Sequence, residues 1–471
     1  MAPRPDPTIF REYDIRGVYG VSLTDGDAYA IGRASALVFR ESGGRCMAVG
    51  RDGRLSSPAL EAALIDGLLD GGVDVLRIGL GPTPMLYYAE ASTPEVQGGI
   101  QITGSHNPAD HNGFKIVFGG RALFGAEIRQ IGVVARQMGG GEIAGGRGQV
   151  DVRGACGTRE ILKPYITRLL EGLSAIGGDE AAGLRIGWDA GNGAAGPAIE
   201  ALTARLPGAH HLLFTEIDGH FPNHHPDPTD DTNLADLRRL VATRRLDFGL
   251  AFDGDGDRIV VIDARGRTIL GDQLLAILAE DLLRDCPGAA VLADIKASQV
   301  VFDRIAALGG RPLMGAAGHS LIKSTMKQTG AMLAGETTGH IFYAHRFYGF
   351  DDALYAAVRL MAAVVRLGHS VTQLRDSLPA MINTPELRFA VDPRRKWVVV
   401  DEVAARLAAA GASVDTTDGL RVARDGGWWL LRASNTQDML VARAESGSEA
   451  GLTAMMAEID GQLAASGVSR H

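Results

Sequence analysis

The sequence predicts an α/β fold of three related mixed α/β domains followed by a smaller α+β domain, and three observations carry that prediction. The chain has 471 residues, whereas a single core rarely grows beyond about 250–300. Three times a short apolar strand ends in an acid and is followed by small residues: Met47 to Asp52, Leu184 to Asp189, and Ala290 to Asp294. After each, a second apolar strand ends in a polar loop: Gly99 to Ser105, Phe248 to Asp253, and Ala331 to Glu336. The intervals from acid to loop are 53, 64 and 42 residues. Strands alternating with helical patterns imply mixed α/β layers, with ligand chemistry at the strand ends.

Each repeat therefore donates one functional loop. The expected divisions are 1–152 with the Ser105 loop, 153–266 with the Asp253 loop, and 267–379 with the Glu336 loop. Residues 380–471 differ in kind. The stretch from Trp397 reads as a helix with apolar positions three to four apart. Gly419 to Arg432 reads as a hairpin turned by Asp425-Gly426. This last, α+β domain carries its own loop after Arg432.

Composition narrows the function classes. Hydrophobic residues at 46% and charged residues at 22% fit a folded globular chain and exclude a disordered one. The 62 glycines follow no fixed period, so they mark turns rather than a fibrous repeat. A net charge of −9 argues against nucleic acid and anionic membrane as partners. An anionic substrate would need a local patch of cations. Cys46, Cys156 and Cys286 form no CxxC pair, and read as buried small hydrophobes in a reducing compartment. The N-terminal residues lack the apolar core of a signal peptide, and no run of 18 apolar residues occurs. The expected location is cytoplasmic.

Asp253-Gly-Asp255-Gly-Asp257-Arg258 is the most specific motif. Residues at i, i+2 and i+4 of an extended segment face one way. Three carboxylates converging there repel one another unless a cation joins them, and all-oxygen ligation suits Mg2+; the alternative is a solvated acidic turn. An EF-hand is excluded, because counting from Asp253 puts Arg258 at position 6 and Ala264 at position 12. Thr103-Gly-Ser105-His106-Asn-Pro108 is either a plain turn or a loop presenting a nucleophile or phosphoryl carrier, with His106 and Lys115 as neighbouring cations. Glu336-Thr-Thr338-Gly-His340 groups a carboxylate, hydroxyls and an imidazole as a polyol site would, or as an ordinary polar loop would. Arg432-Ala-Ser434-Asn435-Thr436 is phosphate-binding equipment or a turn. The run from His220 to Asp227 tempts toward zinc, but its prolines and lack of helical i, i+4 pairing favour a structural loop.

Taken together, these motifs resemble the α-D-phosphohexomutase family, and most of all its bacterial phosphomannomutase/phosphoglucomutase branch. The resemblance runs from Tyr13-Asp-Ile-Arg16-Gly through Asn112-Gly-Phe-Lys115, Phe221 to Pro228 and Gly318-His319-Ser320, to Arg432 through Thr436. It implies four domains around a central cleft, with a phosphoserine at Ser105. Asp253, Asp255 and Asp257 would then ligate one Mg2+ together with the seryl phosphate. Glu336, Thr338 and His340 would hold sugar hydroxyls. Arg432, Ser434, Asn435 and Thr436 would clamp the phosphate that is not reacting. Tyr13, Arg16, Lys115, Arg258, Lys296 and His319 would bind substrate or serve acid–base roles, with His106 beside the carrier.

The implied activity is interconversion of the 1- and 6-phosphates of mannose and glucose through a hexose 1,6-bisphosphate, with glucose 1,6-bisphosphate as activator. Small sugar phosphates are the expected partners, and a monomer the default state. The alternatives are a phosphoglucosamine mutase, or a catalytically silent sugar-phosphate-binding protein. Three positions depart from the family's pattern: Thr338 replaces serine, Asp231-Thr232 replaces Pro-Glu, and Gln437-Asp438 replaces Glu-Pro. The last puts an acid beside the phosphate clamp.

Overall fold

The structure, a computed structural model, describes residues 4–139, 150, 152–177, 180–434 and 439–470. All six strands of the sequence repeat form. The acid-ended strands are Cys46–Arg51, Arg185–Asp189 and Ala290–Asp294. Each pairs in parallel with its loop strand, Gly98–Ile102, Phe248–Phe252 or Leu333–Gly335. Each loop strand then pairs antiparallel with the strand that follows it: His111–Phe118, Ile259–Asp263 or Ile341–Tyr343. The far edge of each acid-ended strand pairs in parallel with Asp74–Leu80, Ala209–Leu213 or Arg311–Gly315. One four-strand order thus recurs in three sheets.

That order decides where chemistry can sit. Parallel strands need crossovers, and the crossovers carry helices that bury the sheet faces. Phe248–Phe252 and Ile259–Asp263 are accordingly buried along their whole length. What the helices leave uncovered is the connection from each parallel loop strand into its antiparallel neighbour, which other units of the chain then bury. The Ser105, Asp253–Asp257 and Glu336–His340 segments occupy that connection in the first, second and third units. An isolated bridge between Arg258 and His340 ties the second loop to the third.

The C-terminal unit is an antiparallel sheet built on Leu420–Arg424, Gly427–Ala433 and Met439–Ser446. Asp425-Gly426 turns the hairpin as expected, with Gly426 at φ +71°. The expected helix runs Lys396–Ala409, and with Glu449–Ala464 it covers the face bearing Val422, Trp429 and Leu431. The opposite face packs Trp428 and Leu430 on Ile295 of the third unit.

The first three units share a continuous core that runs from Met85 and Tyr88 through Trp188 and Phe252 to Tyr343 and Tyr355. Two expectations change or sharpen. None of the cysteines is a buried hydrophobe: Cys156 is exposed and Cys46 and Cys286 are half-buried. Cys156 lies on Cys156–Thr158, an edge strand with a neighbour on one side only. At the departure Asp231-Thr232, Asp231 accepts from the Thr268 hydroxyl at 2.9 Å and pairs with Arg238. The acid there pins a surface turn. Among the described residues, no helix is long and apolar enough to cross a membrane.

Asp352 joins the second and third units. It caps the helix Ala353–Leu367 by accepting from the Tyr355 N–H at 2.9 Å, and it accepts from the Tyr165 hydroxyl at 2.9 Å. Burial pushes its carboxyl from the ordinary 3.8 up to about 7. An acid that binds its proton more tightly when folded stabilises the fold at low pH, and that contribution is lost as pH rises from about 4 to about 7. Asn at this position retains a capping oxygen without a charge. Asp352→Asn should therefore melt higher than wild type at pH 8, with the gap closing toward pH 4.5. A gap that stays constant across that range in thermal melts would contradict a buried, titrating Asp352.

Candidate active site

The three loops and the C-terminal sheet enclose a cavity of about 440 Å3. Tyr13, Arg16, Ser105, His106, Lys115, Arg258, Lys296, His319, Glu336, Thr338, His340, Arg432 and Ser434 all line it. Asp253, Asp255 and Asp257 lie fully buried just behind the Ser105 wall. Asn435 and Thr436 of the expected clamp, and the departing Asp438, lie outside the described residues. The cation patch that an acidic chain would need for an anionic substrate is present: Arg11, Arg16, Lys115, Arg258, Lys296, Arg388 and Arg432 all face this one cavity.

Ser105 sits in a left-handed conformation, φ +48°, at the point where the first and second units touch. Its hydroxyl donates to Asp253 Oδ2 at 2.9 Å and lies 3.2 Å from His106 Nδ1. Gly254 permits this approach, since a Cβ there would stand 2.5 Å from the Ser105 carbonyl oxygen. Burial, then Arg258 and Arg16, hold His106 well below the ordinary histidine range, so its imidazole is neutral.

The aspartates each offer one carboxylate oxygen within 4.8 Å of the others. Lys115 donates to Asp255 Oδ2 at 2.7 Å and also to Asp257 Oδ2. Thr83 hydrogen-bonds Asp255 through both hydroxyl and N–H. Burial and then the charge of Asp255 push Asp253 and Asp257 up. Asp255 is desolvated too, yet Lys115 holds it down. Desolvation opposes the charge on Lys115, but the three aspartates raise it above an ordinary lysine. One ammonium does not balance three carboxylates. Asp255 Oδ1 and Asp257 Oδ1 are buried without any hydrogen-bond partner. Hard oxygen donors left orphaned beside excess negative charge fit a divalent cation.

Across the cavity, the Glu336 carboxylate accepts from the Gly318 N–H at 2.6 Å, fixing the third loop against the segment that carries His319. His340 Nδ1 lies 3.0 Å from Asp351 Oδ2, and its Nε2 meets Arg258 Nε at 3.0 Å. Burial, then Lys323, depress the basicity of His319 well below the ordinary range. Arg432 is paired with Asp418, 2.9 Å away. The His-rich run is structural: His224 Nε2 sits 3.1 Å from Asp189 Oδ2. Neither of the carboxylate and imidazole groups able to hold a metal among the described residues includes His220, His224 or His225.

Sequence reasoning missed several residues here. Asp351 is fully buried behind His340 and is held well below the carboxylate range, burial opposing and Lys323 then His340 favouring its charge. Its only signal was an acid pair before an apolar helix. Arg54 was missed because its work is done on backbone. Its guanidinium donates to the carbonyls of Ser105 at 2.7 Å, Asn107 at 2.6 Å and His111 at 3.0 Å, and also to that of Pro108. Asp52, the acid ending the first repeat strand, holds Arg54 Nε at 3.2 Å and the Gly104 N–H at 3.0 Å. A Cβ on Gly104 would stand 2.2 Å from Arg54 Nε. Arg54→Ala would strip the Ser105 loop of these donors, each worth about 1 kcal/mol or more to its acceptor. Amide exchange in the peptide spanning residues 103–111 should then accelerate by roughly tenfold or more. Unchanged exchange in that peptide would show that Arg54 does not hold the loop.

Comparison with known proteins agrees with this architecture. Four family models match in order: the phosphoglucomutase/phosphomannomutase alpha/beta/alpha domain I at residues 7–133, domain II at 163–266, domain III at 270–381 and the C-terminal domain at 386–462. The phosphomannomutase/phosphoglucomutase of Pseudomonas aeruginosa is 40% identical over 464 residues, covering 98% of this chain and 97% of its own. A phosphoglucomutase of Neisseria gonorrhoeae is 40% identical over 447 residues, 94% of each chain. The crystal structure of a phosphoglucomutase/phosphomannomutase family protein from Burkholderia thailandensis superposes with a TM-score of 0.89 at 38% identity, covering 98% of both chains. With all four domains matched and a relative this similar aligned along nearly its whole length, the chain belongs to the phosphoglucomutase/phosphomannomutase family of α-D-phosphohexomutases.

Proposed function

We propose that the protein interconverts the 1- and 6-phosphates of mannose and glucose, with Ser105 as the phosphoryl carrier. The observation that carries the proposal is the position of the Ser105 hydroxyl, 2.9 Å from Asp253 and opening onto a cavity lined by cations. The same cavity is lined by a loop suited to sugar hydroxyls and by Lys296 and Arg432 from the third and C-terminal units.

Phosphoserine Ser105 gives its phosphoryl group to the free hydroxyl of a hexose monophosphate. The seryl P–O bond breaks as the new P–O bond forms; the hydroxyl proton passes to a base lining the cleft, where His319 stands, and the departing seryl oxygen takes up a proton in turn. The 1,6-bisphosphate then turns within the cleft, and its other phosphate returns to Ser105. Mg2+, held by Asp253, Asp255 and Asp257, would supply charge neutralisation to the phosphoryl oxygens. Arg16, Lys115 and Arg258 orient the reacting phosphate, and transfer of this kind depends mainly on positioning and electrostatics. Lys296, Arg432 and Ser434, with Asn435 and Thr436, bind the phosphate that is not reacting.

Glu336 and Thr338 make the turnover productive. A sugar gripped by hydroxyls common to glucose and mannose can be held in either orientation, so one carrier serves both ends. Threonine at 338 keeps the hydroxyl that serine would supply.

Coupled assays on mannose 1-phosphate and glucose 1-phosphate, primed with glucose 1,6-bisphosphate, should detect both reactions. Glucosamine 6-phosphate in a third assay separates the aminosugar alternative. Ser105→Ala should lower kcat by three or more orders of magnitude, roughly the contribution expected of a covalent carrier. Chelation should abolish activity and Mg2+ restore it, and Asp255→Asn should raise the Mg2+ concentration needed. Wild-type turnover in Ser105→Ala, or full activity after confirmed metal removal, would refute the proposal; binding of sugar phosphate without any turnover would favour a silent sensor.

A further inference from the structure

The sheet of the C-terminal unit reaches the cleft in a second place besides the Arg432 loop. Arg421 pairs across strands with Leu430, and Leu430 with Arg443. Residues opposite one another in antiparallel strands project from the same face, and alternation along Gly427–Ala433 adds Trp428 and Arg432 to that face. It is the face that rests on the third unit.

Three consecutive backbone carbonyls meet it there. Arg421 donates to Ile295 O at 2.6 Å and to Ala297 O at 2.7 Å. Arg443 donates to the carbonyl between them, Lys296 O, at 3.0 Å. The grip extends one turn further along the chain. Glu445 accepts from the Gln299 N–H at 3.0 Å and from Trp428 Nε1 at 2.8 Å. The Arg421 guanidinium lies over the Trp428 ring at 3.7 Å, and it is buried, 4% exposed. The segment so held carries Lys296 into the cavity that Arg432 also lines.

We propose that Arg421 and Arg443 are positioning residues: they clasp the Lys296 segment so that Lys296, from the third unit, and Arg432, from the C-terminal unit, form one phosphate subsite of fixed spacing. This rests on the reading of Lys296 and Arg432 as phosphate-binding residues. The geometry suits the task. A planar guanidinium can bridge two carbonyls and stack on an indole at once, whereas an ammonium presents a point charge that can do neither as well. Arg421 and Arg432 stand on one sheet face, so the sheet that carries one cation of the subsite also grips the backbone that carries the other.

Steady-state kinetics of the full chain on glucose 1-phosphate test this, using Lys296→Ala, Arg421→Lys, Arg443→Lys and the doubles with Lys296→Ala. Lys296→Ala should raise KM about tenfold, the loss of one charged hydrogen bond. Arg421→Lys should raise KM severalfold while kcat changes less than twofold. In the Arg421→Lys background, Lys296→Ala should add much less than its single effect, since a mispositioned lysine has little left to lose. A purely structural Arg421 would instead lower the melting temperature and the active fraction, leave KM alone, and add fully to Lys296→Ala. Arg443→Lys provides the same test if Arg421→Lys fails to fold. Should Lys296→Ala raise KM while both arginine variants keep the wild-type KM, the clasp is overturned and the phosphate reading survives. Should Lys296→Ala leave KM unchanged, both are overturned.

Discussion

Three buried carboxylates within 4.8 Å of one another set the terms for the rest of this molecule. At an effective dielectric of about 20, each pair of such charges repels by at least about 3 kcal/mol, and burial adds a desolvation cost for every ion. The fold meets this demand from elsewhere in the chain. Lys115 arrives on the strand His111–Phe118 of the first unit, and Thr83 from the start of a helix in that same unit. The second unit's acid loop is therefore stabilised by docking against the first, and that docking puts the Ser105 hydroxyl on Asp253. The residual negative charge and the orphaned carboxylate oxygens make the same spot receptive to a divalent ion.

The same logic organises the cleft as a whole. A chain of net charge −9 concentrates its cations where three strand-end loops and one sheet face converge. Three of these cations are held from outside their own loops: Arg258 by His340, Arg432 by Asp418, and the backbone around Lys296 by Arg421 and Arg443. Such pre-organisation suits the proposed substrate, a sugar phosphate that reacts at either end. Neutral imidazoles at His106 and His319 follow from the same crowding, because neighbouring cations and burial both disfavour protonation.

Much of this was legible in the sequence, for identifiable reasons. Period and punctuation marked the six repeat strands. The three aspartates converge as expected, but on a tight turn after the strand Phe248–Phe252, with Gly256 at φ +71°, and not by alternation along an extended segment. The motifs around Ser105, Glu336 and Arg432 carried polar groups that no core would want. What stayed hidden was whatever acts through backbone or across units. Arg54 looks like any arginine after a strand, yet it serves four loop carbonyls. Asp351 becomes part of the site only through His340 and Lys323, which reach it from other elements of its own unit, and Thr83 only through Asp255 in another unit. The cysteines were misread because burial depends on where the sheet ends, and Cys156 lies on the outermost strand of the first sheet.

Ser105 is proposed to carry the phosphoryl group between sugar hydroxyls, with transfer to the sugar outrunning transfer to water. The most direct test labels purified protein with radioactive phosphate on Ser105 and chases it with unlabelled glucose 1-phosphate under rapid quench. The account predicts that label leaves the protein at the turnover rate, passes through a hexose bisphosphate and appears in glucose 6-phosphate, with almost none released as inorganic phosphate. Label that stays on the serine while product accumulates, or that leaves as inorganic phosphate at the turnover rate, would contradict it.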